Sequence, residues 1–195
     1  MQPDKSAFIV FIQKTLPLAD NIAHSIAENF EEKSFSKSDL ILKQGRISDD
    51  YIFLETGIVR AFTYDTEGNE VTTNIYSNNS ILFEPASFIK RLPTKENMQA
   101  LTDCNCRMIK HDEFQTLFHS MQPFREFARE VLVNGFIGLK ERTLAMINLT
   151  AEQRYENLLQ TRPEIFQSVP LKYLASYLGI TDTSLSRIRK EIMQK

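Results

Sequence analysis

From Pro123 to about Leu149 the chain keeps helical spacing while placing apolar residues on more than one side: Phe124, Phe127, Ala128, Val131, Leu132, Phe136, Ile137, Leu139, Leu144, Ala145 and Ile147. A helix on the surface of a monomer needs only one apolar stripe. Two such faces call for two neighbours: the rest of the chain on one side and a second helix on the other. A second copy of the chain supplies that helix, and an intramolecular partner is the competing reading. Pro123 suits a first helical turn, where its missing N–H is not needed. Gly135 and Gly138 would permit close backbone approach, although a mid-helix glycine costs about 1 kcal/mol relative to alanine.

The segments on either side of this stretch have different periods. Phe8, Phe11 and Ile12, then Ile22, Ile26, Ala27 and Phe30, predict two short helices within 6–33, broken at Pro17. Between about 35 and 110, β-branched and aromatic runs alternate with turns: 40–42, 51–54, 58–64, 71–76, 98–101 and 106–109. Gly45, Gly57 and Gly68 fall in those turns, and 65–69 reads as a hairpin tip. Short strands at this spacing predict a small antiparallel barrel or sandwich. Asp112-Glu113 opens a short helix through Phe114, Leu117 and Phe118. Thr150-Ala-Glu-Gln153 is a capping box that starts another, ended at Arg162-Pro163, and 148–150 is a hinge candidate. At 195 residues, 42% hydrophobic and 25% charged, the composition is that of an ordinary globular chain. No 18-residue apolar run predicts a membrane span, and Met1-Gln-Pro-Asp-Lys5 does not read as a secretory signal, so a cytoplasmic protein is expected. Cys104 and Cys106 read as two small strand residues in a reducing compartment, and no metal or cofactor is expected.

The last 29 residues carry the most specific pattern. Leu171, Leu174, Ala175 and Leu178 share one helical face, and Ala175 is small enough for two helices to cross there. Gly179 can take positive φ where that helix stops, and Thr181 or Asp182 can cap the next. Leu185 and Ile188 return to the first helix, while Ser184, Arg187 and Lys190 are expected outside. This is a helix-turn-helix pattern with the geometry a major-groove reader needs. From 183 to 195 four cations, Arg187, Arg189, Lys190 and Lys195, face Glu191 alone, so four minus one gives +3 locally. The whole-chain charge of −2 does not announce nucleic acid, but a local patch suffices for phosphate contact.

The order of these segments, with Tyr173-Leu-Ala-Ser-Tyr-Leu-Gly-Ile-Thr181 and Leu185-Ser-Arg-Ile-Arg-Lys190, resembles the Crp–Fnr family of bacterial transcription regulators over nearly the whole chain. The resemblance implies an α+β fold. Residues 1–120 would form a cyclic-nucleotide-binding-like β-roll (a double-stranded β-helix, or jelly roll) as sensor. Residues 121–149 would be the dimerisation helix, pairing over 124–149, and 150–195 a winged helix-turn-helix whose wing is reduced or missing. Double-stranded DNA carrying a pseudo-palindromic site is the implied partner, with RNA polymerase and an unassigned small-molecule effector as candidates beside it. Arg187 would read guanine O6 and N7, a contact worth about 1–3 kcal/mol of discrimination. Thr181, Asp182, Thr183 and Ser184 occupy the opening of the recognition helix, and Thr183 stands where many relatives carry Glu. Arg189, Lys190 and Lys172 would touch phosphates, giving affinity without sequence choice. Tyr173 is divided between phosphate contact and packing.

Cyclic-nucleotide binders of this family carry Gly-Glu-Leu-Ala, then Arg followed by Ser or Thr about ten residues after the Glu. The matching residues are Phe83, Glu84, Pro85 and Ala86, with Thr94, Lys95 and Glu96 at the later position. Phe83 replaces the open glycine, and the phosphate-neutralising arginine is not in place. Lys95 offers a point charge rather than a fork, and Glu96 would repel an anion. The ligand-pocket candidates Phe83, Glu84, Ala86, Thr94 and Lys95 are thus not expected to hold cAMP or cGMP. Two rival readings stand beside the regulator. One is a ligand-binding or interaction module whose helical hairpin does not touch DNA. The other is an enzyme, for which no Gly-rich phosphate loop, HExxH or Ser-centred elbow is found.

Overall fold

The computed structural model describes residues 6–192; Met1–Lys5 and Lys195, which entered the sequence reading, lie outside them. The chain begins with α1 (Ser6–Thr15) and α2 (Asp20–Ala27). Strands β1 (Glu31–Phe35), β2 (Leu40–Leu42), β3 (Asp50–Thr56), β4 (Val59–Tyr64), β5 (Glu70–Tyr76) and β6 (Ser80–Leu82) follow. Helix α3 (Pro85–Lys90) interrupts the strands before β7 (Asn97–Ala100) and β8 (Cys104–Lys110). The rest is helical: α4 (His111–Ser120), α5 (Gln122–Asn148), α6 (Ala151–Thr161), α7 (Ile165–Ser168), α8 (Leu171–Leu178) and α9 (Asp182–Ile192).

The strands form two four-stranded antiparallel sheets, ordered β1-β8-β3-β6 and β2-β7-β4-β5. Strand period sorts the side chains. Ile52 and Leu54 of β3, with Val59 and Ala61 of β4, point between the sheets and meet Leu82, Met98, Ala100, Cys104 and Cys106. Tyr51 and Phe53 alternate with them and point out, into a second cluster. There they meet Phe8, Ile12, Ile26, Phe30, Phe88, Phe114, Phe124 and Phe127 from the helices. Phe8 stacks on Phe53 with ring centroids 4.6 Å apart. Gly57 has φ +116, and a Cβ there would lie 2.6 Å from the Cys104 Sγ, so the turn between β3 and β4 demands glycine. Both cysteines are buried and unbridged, and burial pushes the Cys106 thiol up to about 12.

A third cluster joins the C-terminal helices to the roll. Ile58, Ile75 and Leu101 of the roll pack with Tyr155, Leu158, Ile165, Leu174, Ala175, Leu178, Leu185 and Ile188. The capping box at Thr150 is formed: its hydroxyl accepts from the Gln153 amide at 3.2 Å, and Gln153 Oε1 accepts from the Thr150 amide at 2.9 Å.

Some expectations need correction. The second helix stops at Ala27, and Glu31–Phe35 is a strand. Its sequence, Glu-Glu-Lys-Ser-Phe, lacks apolar alternation because it is a sheet edge facing water. Strand β6 and helices α3 and α7 are too short to leave a period. The wing, expected to be reduced or missing, is not among the described residues: no strand follows Lys110 there, and α7 stands between α6 and α8.

Candidate functional site

Leu174, Ala175 and Leu178 bury one side of α8 against Leu185 and Ile188 of α9. Gly179, at φ +69, ends α8, and the Ile180 amide donates back to the Ala175 carbonyl at 3.0 Å. Thr181 caps α9. Its hydroxyl accepts from the Ser184 amide at 3.2 Å and lies 2.9 and 3.0 Å from the hydroxyls of Thr183 and Ser184. Ser184 is consequently half-buried in the cap, a correction to its expected outward position. Arg189 is half-buried too. Asp182, Thr183, Arg187 and Lys190 are exposed, and so is Ser186. Residues 183, 186, 187 and 190 recur at three- and four-residue intervals and form one outer stripe. Ser186 was missed in the sequence, although its spacing from Arg187 and Lys190 marks it. Lys172 is exposed on the first turn of α8, its ammonium 4.8 Å from the Tyr173 ring centroid.

The opposite side of α8 rests on the roll. Arg60 of β4 is 1% exposed and lies between two rings, 4.0 Å from the Phe62 centroid and 3.6 Å from that of Tyr173. Its guanidinium donates to Glu70 at 2.5 Å and to Gln99 at 3.1 Å. The Thr72 amide of β5 donates to the Ser176 hydroxyl at 2.8 Å. Arg142 of α5 donates to the Thr73 carbonyl and, at 3.0 Å, to the Tyr177 carbonyl, with its charge 4.2 Å from the Tyr177 centroid. Tyr173 therefore packs within the chain.

The loop matching the nucleotide cassette is committed to structure. The Glu84 carboxylate caps α3, accepting from the amides of Ala86 at 3.2 Å and Ser87 at 2.7 Å. Thr94 is buried, its hydroxyl accepting from the Glu96 amide at 3.0 Å. Lys95 and Ala86 are exposed. The five candidates do not surround one space: a cavity of about 240 Å³ beside β2 includes Phe83 but none of the other four. The charges near the cassette are acidic. Burial, then repulsion from Glu84, raises the Glu96 pKa, with the nearby Thr73 hydroxyl and the Arg142 charge acting against them. Burial, with these two carboxylates adding to it, pushes Tyr76 up to about 12. Among the described residues no group of three or more His, Cys, Asp or Glu gathers as a metal site.

Helix α5 is anchored at its start by the buried Phe124, Phe127 and Ala128. Residues 132–141 are then exposed all round, with Phe136 at 68% and Leu139 at 60%, and Ile147 follows at 73%. Neither Gly135 nor Gly138 has any neighbour within 4 Å of an added Cβ.

The fold recurs in solved structures. The sequence model of the cyclic nucleotide-binding domain matches residues 32–121. The c-di-GMP-responsive global regulator CLP of Xanthomonas campestris is 12% identical, with 90% of this chain and 92% of that one covered at a TM-score of 0.70. FixK2 of Bradyrhizobium japonicum is 15% identical, with 85% of each chain covered at 0.71. A protein of Eubacterium rectale assigned to the Crp/Fnr regulators is 14% identical, with 92% and 88% covered at 0.68. The chain thus carries a cyclic nucleotide-binding domain and shares its overall fold with solved Crp/Fnr regulators. No curated protein sequence matches it. No helix among the described residues is long and apolar enough to cross a membrane.

Proposed function

We propose that the protein is a homodimeric, DNA-binding transcription regulator whose effector is not a cyclic mononucleotide. The observation that carries this reading is the exposed stripe of Thr183, Ser186, Arg187 and Lys190 on a helix whose other side is fixed by Leu185 and Ile188. Residues 150–195 form the reading unit, with α8 and α9 as its helix-turn-helix. Arg187 supplies a two-pronged donor for guanine, and Asp182, Thr183 and Ser186 flank it. Lys172, Arg189 and Lys190 bind phosphates. Thr181 and Ser184 hold the start of the helix in place.

Residues 121–149 pair with the same helix of a second copy. The support is the set of exposed apolar residues from Leu132 to Ile147, Phe136, Leu139 and Ile147 most of all, which the other described residues leave open. A two-fold dimer presents two reading helices to a pseudo-palindromic duplex. Residues 1–120 form the sensor. Its cassette has a Glu84 engaged in capping, a nearby Glu96 and a buried threonine in place of a cation, a set that disfavours a cyclic phosphate. The reading includes no catalytic step.

Polarisation assays with duplexes of genomic sequence test the proposal. A dimer mass in solution and binding that weakens steeply with salt are expected, because phosphate contacts release counterions. Arg187→Ala should lose about 1–3 kcal/mol of discrimination between sequences while keeping most of its salt-sensitive background binding. Equal losses on every sequence would remove Arg187 as a base reader. Calorimetry with cAMP is expected to show no sub-micromolar binding.

A further inference from the structure

We propose that the cavity of about 240 Å³ beside β2 binds a small monocarboxylate whose apolar body is the size of a single ring. No DNA contact enters this inference, so it and the reading above can fail separately. The floor of the cavity reaches into the roll. Buried Ile52, Leu82 and Met98 line it, with Leu42 beside them. They belong to or pack on the cluster between the sheets, so an apolar body resting on them leaves water. Phe83 forms another wall, its ring held 5.0 Å from that of Tyr51 and 5.7 Å from that of Phe88. The other cassette positions, Glu84, Ala86, Thr94 and Lys95, do not line this space. An engineered apolar cavity of about 150 Å³ holds benzene, and drug-sized ligands need about 300–1,000 Å³. The volume here lies between the two, which suits one ring and a short tether.

The mouth selects the charge. The charged residues that line the cavity are Lys43, Arg46, Asp49 and Asp50. Both carboxylates already have partners: Asp49 accepts from Arg91 at 2.6 Å and Asp50 from Lys110 at 2.5 Å. Lys43 and Arg46 are exposed, and among the described residues neither side chain has an ion-pair or hydrogen-bond partner. Four cations then stand against two carboxylates, and four minus two gives +2 around the opening. A ligand carboxylate held there by Lys43 and Arg46 keeps part of its hydration while its body lies on the apolar floor, so no charge has to be buried. An ammonium in the same place is repelled.

The site is also formed in advance. The Gly45 amide donates to the Thr94 carbonyl at 2.9 Å, and the Thr94 amide donates to the Arg46 carbonyl at 2.8 Å. The Ser48 amide donates to the Ser87 hydroxyl at 2.8 Å, and the Ser48 carbonyl accepts from Arg91 at 2.9 Å. The loop that carries Arg46 is thus tied to α3 and to the segment after it, and a ligand does not have to order it. Leu40 and Ile47, both exposed, form an apolar lip that a bound ring covers.

Three probes with one skeleton test this on the full-length protein: phenylpropanoate, phenylpropanol and phenylpropylamine. Binding is read from the NMR signals of labelled methionine methyls, with the Met98 signal assigned by its loss in Met98→Leu. Phenylpropanoate should shift the Met98 methyl saturably and bind at least about tenfold tighter than the amine, the scale of one charge-assisted contact, with the alcohol between them. Lys43→Gln/Arg46→Gln, which changes only exposed side chains, should lower the carboxylate to the affinity of the alcohol and leave the alcohol where it was. Its methyl spectrum without probe should match that of the parent. Equal affinities for the three probes overturn the inference, as does a carboxylate preference that survives the double substitution. A Met98 methyl that does not move at millimolar phenylpropanoate overturns it as well.

Discussion

The two outer faces of the roll are covered in opposite ways. The face carrying β3 and β8 is covered by α1, α2, α4 and the start of α5, through rings: Phe8 on Phe53 at 4.6 Å, Phe11 on Phe53 at 5.0 Å, Phe114 on Tyr51 at 4.9 Å. The face carrying β4 and β5 is covered by the C-terminal helices through a mixed surface, in which Ile58, Ile75 and Leu101 pack on Ile165, Leu174 and their neighbours and hydrogen bonds surround them. Arg162 donates to the Ile75 carbonyl at 2.7 Å, Ser77 to Glu164 at 2.9 Å, and Thr72 to Ser176. Apolar cover has no substitute in water, whereas each polar contact can be exchanged for a hydrogen bond to solvent at a net cost of about 1 kcal/mol. The first face therefore belongs to the folding unit. The second is a mixed contact, in which polar pairs and one buried guanidinium share the surface with an apolar cluster.

Breaking the aromatic face should have the largest effect. Phe127 is fully buried and reaches Phe8, Phe11 and Phe124. Phe127→Ala should cost about 3–5 kcal/mol in urea-induced unfolding, through lost burial and the cavity left behind. The loss should be cooperative, lowering protection of β3 and β8 together. A cost near 1 kcal/mol would mean that α1 and α5 close over the gap, and that this face is as adaptable as the other.

Arg60→Ala probes the polar face, and a smaller, local effect is expected. Cation–ring contacts are worth about 0.5–2 kcal/mol each, and the Glu70 partner is partly open to solvent. Global unfolding should shift by about 1–2 kcal/mol at most. Amide exchange in α8 should rise while β3 and β8 keep their protection. Raised salt should act on the parent in the same direction, because Arg60–Glu70 is an ion pair. Uniform deprotection of the whole chain would show that the two faces are not independent.

The same contrast explains what the sequence could reveal. Local chemistry was legible wherever a residue's role is set by its neighbours in the chain. Gly179 ends α8, Thr150 and Gln153 cap α6, and Leu185 with Ile188 turn α9 inward. Long strands such as β3 were legible because alternation sorts Tyr51 and Phe53 from Ile52 and Leu54. Roles set across the fold were not. Nothing near Arg60 in the chain marks it as a buried cation, since its burial is made by Tyr173, more than a hundred residues away. Glu84 stood at the Glu of the family's cassette, yet its oxygens cap α3, because Pro85 starts a helix there that left no period. Ser184 was placed outside by spacing and drawn into the cap by Thr181. Edge strand β1, whose charged sequence pairs with β8, gave no apolar signal at all.

The finest test of the contrast is pH. Glu96 lies near Thr73 of β5, whose carbonyl accepts from Arg142 of α5. Burial and Glu84 raise its pKa above the unfolded value. A raised carboxyl binds its proton more tightly when folded. It therefore favours the folded state below the unfolded pKa, and that contribution is lost as pH rises through the folded one. At neutral pH the ionised Glu96 is thus a small cost to folding. Glu96→Gln keeps the shape of the side chain and removes the charge. Its Tm should exceed that of the parent by about 1–2 °C at pH 7, the scale of a few tenths of a kcal/mol in a chain of this size. The gain should vanish as pH falls to the ordinary carboxylate range, where the parent is protonated as well. Phe127→Ala, measured over the same range, should show a deficit that does not change with pH, since its ring partners Phe8, Phe11 and Phe124 do not titrate. A pH-independent gain for Glu96→Gln would mean that the polar face carries no charge penalty, and that its weaker hold comes from hydrogen-bond exchange alone.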